Sequence, residues 1–473
     1  MGALLPVAQE RPLGPADSGV VGRLLQAEDR RDTSAAVWAV GLGHADPRVR
    51  LIARRGLARA RDPRFTARDS FPPLPAPTAW SEPAWRARFR ALAERRDDCA
   101  AMRTVLADSV WHVRLRAADL VSARCAADQD LLSTLRAWAD DPSGARVGSG
   151  GATWHPAAHA LAALARLAPD EARPRVAVAR ASENLWLRAY VARAAVELQD
   201  TTLLRRLAAD PDDNVKEIAI DGLSRLVARA GDDVYLSALG ATGVQAVRAA
   251  ARALKGSPRP DVAARAREAY QRIRSGGSET ARDARLALLD AAGRPASDDR
   301  PPPPDYTLPA DAVVLALGAD VRLRVTLASG SPFVVKLRGD VAPIMAARVL
   351  ALVRQGYYDG LTWHRVEPDF VIQGGGPGAN EYVGYRHSLR DELGTVPHVR
   401  GTVGMSTRGH DTGDAQWFVN LKDNLRLGRD YTVFAEVTEG MDVVDGILEG
   451  EIMARVTVLG PPAPPGSIHR SSR

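Results

Sequence analysis

The chain has 473 residues, of which 45% are hydrophobic and 25% charged. That length exceeds one ordinary hydrophobic core, so two or three domains are expected, and the composition is that of a folded protein rather than a disordered one. The formal net charge is +6, and arginine carries nearly all of the positive charge beside almost as many acidic residues. Because no basic block or aromatic-interleaved basic patch stands out, nucleic-acid binding is not predicted.

The N-terminus leaves the compartment open. MGALLPVAQERP lacks a basic segment and has too short an apolar stretch for a signal peptide, although it resembles the end of one. The sequence as it stands therefore predicts a cytoplasmic protein, and an exported, periplasmic one if the true start lies upstream. No run approaches the ~20 apolar residues of a membrane-spanning helix, so no span is predicted.

The two cysteines, Cys99 and Cys125, match no metal or redox spacing. We expect them to be small core residues. A disulfide between neighbouring helices is the alternative if the chain is exported.

Residues 1–294 are predicted to form one short helix after another. Alanine, leucine and arginine dominate, apolar residues recur at spacings of three and four, and Asp-Pro or Gly separates the segments. One phrase returns, in which a turn is followed by Val-Arg or Leu-Arg and then an alanine-rich run. Its basic residues are Arg50, Arg114, Arg188, Lys216, Arg248 and Arg285.

The later copies of this phrase lie 28, 32 and 37 residues apart, and the first two intervals are about twice as long. A skipped copy explains each long interval, and HPAAHALAALARL at residues 155–167 is a candidate for the second. The phrase resembles HEAT and related armadillo-like repeats, whose second helix often opens with D-x-x-[VI]-[RK]. The resemblance implies an all-α solenoid whose long curved surface binds a partner protein.

The periodicity ends at a proline-rich segment, PASDDRPPPPDYTLP, at residues 295–309. Four consecutive prolines favour an extended, semi-rigid spacer, which would limit docking of the helical arm onto whatever follows. Beyond it, DVRLRVTLASG and PFVVKLRGDVAP alternate as two paired strands joined near residues 329–331, and IMAARVLALVRQGYYDG reads as a helix that ends at Gly356.

Three later segments occur in the order typical of one family. WHRVEPDFVIQGGGPGAN resembles the cyclophilin signature F-H-R-x-x-P-x-F-x-x-Q-G-G, with Trp363 in place of its first aromatic residue. RGTVGMSTRGHDTGDAQWFVN and LRLGRDYTVFAEVTEGMDVVDGI are similar to two later stretches of the same family. The resemblance covers residues 310–460 and implies an eight-stranded antiparallel β-barrel with two capping helices and a substrate groove on its outer face. Residues 461–473 are expected to be a disordered tail.

The resemblance also implies an activity, namely peptidyl-prolyl cis-trans isomerisation of proline-containing polypeptides, which assists folding and requires no cofactor. Arg365 matches the family's catalytic arginine, and Gln373 matches the glutamine that fixes the substrate backbone and orients that arginine. The other matched positions form the proline pocket and line the groove: Phe370, Val371, Ser406, Thr407, Gln416, Phe418, Leu427 and Tyr431.

Some positions depart from the family pattern. Ser406 and Thr407 replace Ala-Asn, Tyr431 stands where many members have histidine, and Trp417 replaces a phenylalanine beside the pocket. Arg426 occupies the position of the tryptophan linked to cyclosporin binding, so we expect weak inhibition by that drug.

Other chemistries fit less well. The histidines at 364, 387, 398 and 410 match no zinc spacing, and the pair His155 and His159 lacks a third ligand, so no metal site is predicted. The intact set of Arg365, Phe370, Gln373 and Phe418 favours an isomerase. The alternative is a non-catalytic module that binds proline-containing segments on a helical-repeat scaffold.

Overall fold

The computed structural model describes residues 14–30, 32–61, 80–142, 153–276, 281–300, 311–312, 315, 319–385, 388–394 and 396–459. The predicted tail 461–473, His387 and most of the predicted linker lie outside these ranges. The helices that precede the first strand are α1 (Pro15–Asp29), α2 (Val37–Leu42), α3 (Pro47–Ala60), α4 (Trp85–Ala91), α5 (Cys99–Val105), α6 (Trp111–Leu120), α7 (Gln129–Ala139), α8 (His155–Leu167), α9 (Pro169–Ala179), α10 (Leu185–Glu197), α11 (Thr201–Leu207), α12 (Asp213–Val227), α13 (Asp232–Ala238), α14 (Val244–Leu254), α15 (Val262–Ser275) and α16 (Arg282–Ala291).

The polar residues between these helices cap helix N-termini. Asp128, Asn184 and Asp200 each accept a hydrogen bond from a backbone N–H of the helix that they precede, at 2.9–3.0 Å. Such a cap satisfies one of the four N–H groups that a helix start leaves without an intrahelical partner. No helix in the described ranges is both long and apolar enough to cross a membrane.

The helices from α6 onward form two rows. Helices α6, α8, α10, α12, α14 and α16 pack side by side, and α7, α9, α11, α13 and α15 pack against them. All copies of the recurring phrase from Arg114 onward lie on the first row, and α8 fills the place of the skipped copy. Nearly every residue of α8 is buried. The arrangement is that of stacked helical units, and the HEAT type remains a prediction.

The recurring arginine has a physical role in three copies. The guanidinium groups of Arg50, Arg114 and Arg188 donate to carbonyl oxygens five or six residues earlier in the chain. Each therefore ties the first turn of its helix to the loop that precedes it. Lys216, Arg248 and Arg285 pair with carboxylates, as Arg188 also does.

Cys99 and Cys125 form a disulfide between the start of α5 and the short 3-10 helix that follows α6. The bond joins residues 26 apart in sequence. Of the two alternatives that the sequence leaves open, the structure has the paired one, and only Cys125 is buried.

The C-terminal part is a nearly closed antiparallel barrel. Its strands are β1 (Arg322–Leu327), β2 (Pro332–Leu337), β3 (Thr362–Trp363), β4 (Arg365–Val366), β5 (Val371–Gly374), β6 (Thr402–Met405), β7 (Trp417–Asn420), β8 (Val433–Glu439) and β9 (Glu451–Leu459). The order is β3-β9-β1-β2-β8-β6-β7-β5-β4. Helices α17 (Pro343–Arg354) and α18 (Met441–Gly446) accompany it.

The two shortest strands explain how the barrel closes. Only His364 separates β3 from β4, yet β3 pairs with β9 and β4 pairs with β5, at opposite ends of the sheet order. They are two halves of one interrupted strand. The nine segments therefore amount to the eight strands predicted from the sequence.

The two buried apolar clusters do not follow the division of the sequence into a helical part and a barrel part. One buried apolar cluster joins the row helices, whereas α1 and α3 share a second cluster with the barrel interior. Leu24 and Ile52 lie in this second cluster together with Met345 and Trp417. The predicted boundaries at residues 294, 309 and 460 remain predictions.

The arm also contacts the barrel through polar groups. The fully buried Arg86 of α4 donates to Asp445 Oδ1 at 2.5 Å and to the carbonyl of Leu421, and Arg400 of the barrel binds the same two residues. His155 Nε2 lies 2.7 Å from the Glu449 carbonyl oxygen. The expectation that the proline-rich spacer would limit docking of the arm is not met, because these contacts form between residues far from the spacer.

Candidate functional site

Cross-strand register brings the central candidate residues together. Arg365 of β4 pairs with Gln373 of β5, Gln373 pairs with Phe418 of β7, and Phe418 pairs with Gly404 of β6. Directly opposite residues of neighbouring strands project from the same face of a sheet. A side chain at Gly404 would collide with the Phe418 ring, since a Cβ there would lie 2.4 Å from the ring.

Alternation along the strands separates this face from the interior. In β5, Ile372 belongs to the barrel core, whereas its neighbour Val371 belongs to a small separate cluster. In β7, Trp417 packs edge-on against Trp363 inside the barrel, with ring centroids 5.3 Å apart. Trp417, which stands where the family has a phenylalanine, therefore fills the barrel core. The pocket lies on the other face of the sheet.

The apolar pocket is that small cluster. Val371, Phe418 and Leu427 are its buried members, and Phe370 and Tyr431 pack against it half-buried. The rings of Phe418 and Tyr431 meet edge to face at 5.6 Å. All five residues are among those predicted to form the groove.

A polar chain runs along the side of the pocket. Arg365 Nη1 lies 3.5 Å from Gln373 Oε1, and Gln373 Nε2 donates to Ser406 Oγ at 2.9 Å and to Gln416 Oε1 at 3.1 Å. Gln416 Nε2 donates in turn to the Val383 carbonyl at 2.8 Å. The Arg365 side chain keeps 41% exposure, so its guanidinium is oriented and still open to a ligand. Thr407, half-buried, follows Ser406 at the end of β6.

Sequence reasoning missed a buried network beneath the pocket. His398 stacks on Phe418 at 5.6 Å, its Nε2 lies 2.9 Å from the Tyr431 carbonyl oxygen, and its Nδ1 lies 3.1 Å from Asn420 Nδ2. Burial lowers the pKa of His398 to about 4, and the bond to the Tyr431 carbonyl opposes that shift. The neutral ring thus donates through Nε2 and accepts through Nδ1.

The network reaches the pocket wall. Asn424 Nδ2 donates to Asn420 Oδ1 at 2.8 Å and to the Phe370 carbonyl at 3.1 Å. These residues hold the backbone from which Phe370 projects. No spacing rule singles them out in the sequence, because isolated asparagines and a histidine resemble ordinary loop residues.

The arm also holds the loop before Phe370. Arg90 of α4 donates to Asp369 Oδ1 at 2.8 Å, and Lys422 donates to Asp369 Oδ2 at 2.9 Å. Within the described residues, no group of three or more His, Cys, Asp or Glu side chains is arranged to hold a metal ion.

Comparisons with known proteins agree on one family. The family model described as cyclophilin type peptidyl-prolyl cis-trans isomerase matches residues 322–469. Peptidyl-prolyl cis-trans isomerase B of Bacillus subtilis is 35% identical over 136 residues, which are 28% of this chain and 95% of that protein. A peptidyl-prolyl cis-trans isomerase of Helicobacter pylori is 37% identical over 119 residues, which are 24% of this chain and 73% of that protein.

Among solved structures, a cyclophilin type peptidyl-prolyl cis-trans isomerase of Cryptosporidium parvum matches 30% of this chain and 100% of its own, with 21% identity and a TM-score of 0.29. The chain belongs to the cyclophilin-type peptidyl-prolyl cis-trans isomerase family. It is an isomerase in which the cyclophilin domain follows a set of packed helices.

Proposed function

We propose that Arg365 is the group that accelerates rotation about X-Pro bonds in polypeptide substrates. Rotation about an amide must climb about 18–20 kcal/mol, and the cis and trans forms of X-Pro are nearly balanced. The catalyst therefore needs to favour only the twisted state, in which conjugation is lost and the prolyl nitrogen gains a free lone pair. A fixed cationic donor aimed at that nitrogen acts only while the bond is twisted.

The observation that carries this proposal is the position of Arg365 beside an apolar pocket. In the proposed arrangement the proline ring enters the cluster of Val371, Phe418 and Leu427, with Phe370 and Tyr431 at its rim. The Arg365 guanidinium, held by Gln373, then faces the bond that rotates.

The groove residues are proposed to fix the substrate backbone. Gln373 and Gln416 form one hydrogen-bonded chain with Ser406, and that chain runs along the side of the pocket. Thr407, two residues after β6, is proposed to line the same groove, and the Tyr431 hydroxyl is proposed to donate to a substrate carbonyl.

The test is NMR exchange on an Ala-Pro test peptide, with the full chain compared with Arg365→Ala. We expect the variant to lose about 100-fold of kcat/KM, as when one preorganised donor is removed from a transition state. Arg455→Ala is the matched control, since Arg455 is exposed on β9. A wild type that binds the peptide without exceeding the uncatalysed rate would establish the alternative, a non-catalytic proline-binding module.

We further propose that the helical arm binds the polypeptide that is isomerised. The support is local: α4 contacts the loop before Phe370 through Arg90, and α6, α8 and α10 lie beside Arg365. An unfolded proline-containing polypeptide, titrated into isotope-labelled protein, should shift amide resonances in α6, α8 and α10 as well as in the barrel. Shifts confined to the barrel would contradict this role of the arm.

A further inference from the structure

A cavity of about 250 Å³ lies between the arm and the barrel, and Arg365 is part of its wall. The arm contributes residues of α4, α6, α8 and α10, and the barrel contributes the stretch from Arg365 to Pro368 together with Leu448 and Glu449. The same arginine borders the proline pocket, so the pocket and the cavity adjoin at Arg365.

Most charges of the cavity are matched within it. Asp119 Oδ1 lies 2.6 Å from His159 Nδ1, and His159 Nε2 lies 2.8 Å from the Tyr190 hydroxyl. Burial raises the pKa of the Glu449 carboxyl, and the nearby Arg193 guanidinium opposes that shift. Glu367 lies 3.9 Å from Arg365.

Arg116 of α6 is the exception. Its guanidinium lies over the Phe89 ring at 5.2 Å, and its Nε is buried without a hydrogen-bond partner. In the described ranges of the chain no carboxylate lies within ion-pair distance of it. The side chain as a whole is half-buried, so it is reachable from the cavity.

The surroundings of the Arg116 guanidinium favour a carboxylate ligand. A half-buried guanidinium with no carboxylate beside it favours an anionic ligand, because a carboxylate balances the positive charge and accepts from guanidinium N–H groups. A lysine brought to the same place would meet the like charge of Arg116.

We propose that Arg116 forms a carboxylate-binding subsite, so that the enzyme prefers proline-containing client segments with an aspartate or glutamate a few residues from the proline. The proposal rests on the proposed function, since the client must occupy the proline pocket at the same time. The arm thereby takes part in substrate choice.

The experiment measures kcat/KM on pairs of Ala-Pro test peptides that differ only by glutamate or glutamine. The variable residue is placed in turn at two, three and four positions before and after the proline. At the best position we expect the wild type to prefer glutamate by about fivefold, which is what a partly exposed ion pair supplies. The preference should weaken as salt is added, because salt screens exposed charges.

Variants of the full chain test the residue itself. Arg116→Gln should bring the glutamate-to-glutamine ratio close to one, and Arg116→Glu should reverse the preference in favour of the glutamine peptide. Arg206→Gln is the control, because Arg206 is exposed on α11 and does not line the cavity. Its ratio should equal that of the wild type.

The outcomes separate this proposal from the isomerase mechanism. A wild type with no preference, or a preference that survives in Arg116→Gln, overturns the subsite. If no peptide is isomerised faster than in buffer, the mechanism fails, and the same peptide pairs are then compared by dissociation constant. An affinity ratio that Arg116→Gln abolishes would still support the carboxylate subsite.

Discussion

The ring of Phe370 lies under two guanidinium groups. The carbon of the Arg365 guanidinium is 5.9 Å from the ring centroid, and that of Arg426 is 4.9 Å away. Contacts of this kind between a cation and an aromatic face stabilise both side chains. The rim of the pocket therefore carries positive charge at the position where the resemblance implies a tryptophan in cyclosporin-binding relatives.

This arrangement gives a prediction for inhibition. Cyclosporin should inhibit the wild type weakly, and Arg426→Trp should lower the inhibition constant at least tenfold, since an indole offers an apolar surface in place of a charge. Inhibition is measured as the cyclosporin dependence of kcat/KM. Arg455→Trp serves as the control on the barrel surface, and equal inhibition of wild type and Arg426→Trp would contradict the prediction.

His398 makes the stability of the pocket dependent on pH. Its pKa is about 4 in the folded protein, compared with 6.5 for an unperturbed histidine. Because the unfolded chain binds the proton more readily, this histidine stabilises the fold fully above about pH 6.5, and that stability is lost as the pH falls toward 4.

The prediction is tested by urea unfolding of the wild type and of His398→Asn. The wild type should be the more stable at pH 7.5, and the difference in the free energy of unfolding should shrink by about 3 kcal/mol between pH 7 and pH 4. Other buried histidines affect both proteins alike and cancel in the comparison. A constant difference across that range would show that His398 is not held neutral.

Among the elements, the contact between α4 and the barrel has two cations and one carboxylate. Arg86 and Arg400 both bind Asp445. Removing Arg86 leaves the carboxylate paired with Arg400, whereas removing the carboxylate leaves two buried guanidiniums facing each other.

Asp445→Asn should therefore cost more stability than Arg86→Met. We expect about 2 kcal/mol for Arg86→Met and about 4 kcal/mol for Asp445→Asn, measured by chemical denaturation. Arg455→Met provides the surface control. The reverse order would mean that the Arg86 contact to the Leu421 carbonyl dominates.

The disulfide belongs to the same scale, because it ties the start of α5 to the segment after α6. Replacing both Cys99 and Cys125 with serine should lower the free energy of unfolding by about 3 kcal/mol, since the bond restricts the unfolded chain. Thermal unfolding of the wild type with a reductant should reproduce the change. Identical melting of the oxidised wild type and the double variant would contradict it.

The sequence predicts elements better than it predicts their contacts. The alternation in DVRLRVTLASG and PFVVKLRGDVAP predicts β1 and β2, which do pair, because alternation directly reflects one buried face. Ordered motifs predict Arg365, Gln373 and Phe418, which share one face. The roles of His398 and Asn424 depend on contacts between distant segments, which no local pattern encodes.

At the scale of the whole molecule, the first helices are part of the barrel's core. Ile52 of α3 is 1% exposed and belongs to the same cluster as the barrel residues Val419 and Phe434. Arg59, also on α3, donates to the Val341 carbonyl at 2.8 Å. Local periodicity predicts α3 correctly, but it does not reveal which of two cores the helix joins.

Ile52→Ala should consequently loosen the barrel although the residue lies far from it in sequence. We expect a loss of about 2–4 kcal/mol, as for other buried isoleucines, together with faster hydrogen exchange of the amides in β7. Leu288→Ala, in the cluster of the row helices, is the comparison. If it accelerates exchange in β7 as much as Ile52→Ala does, the two clusters do not act separately.

The shared core has a consequence for how the protein is made. Arg59 meets a carbonyl 282 residues further along the chain, and Arg86 meets a carboxylate 359 residues further. A ribosome that adds about 5–20 residues per second releases α1–α3 well before their partners exist. These helices must therefore remain without their final packing until the last strands emerge, and closing so long a loop makes assembly slow. This isomerase is therefore expected to fold slowly, because α1–α3 and the barrel strands that they pack against are synthesised far apart in time and come together last.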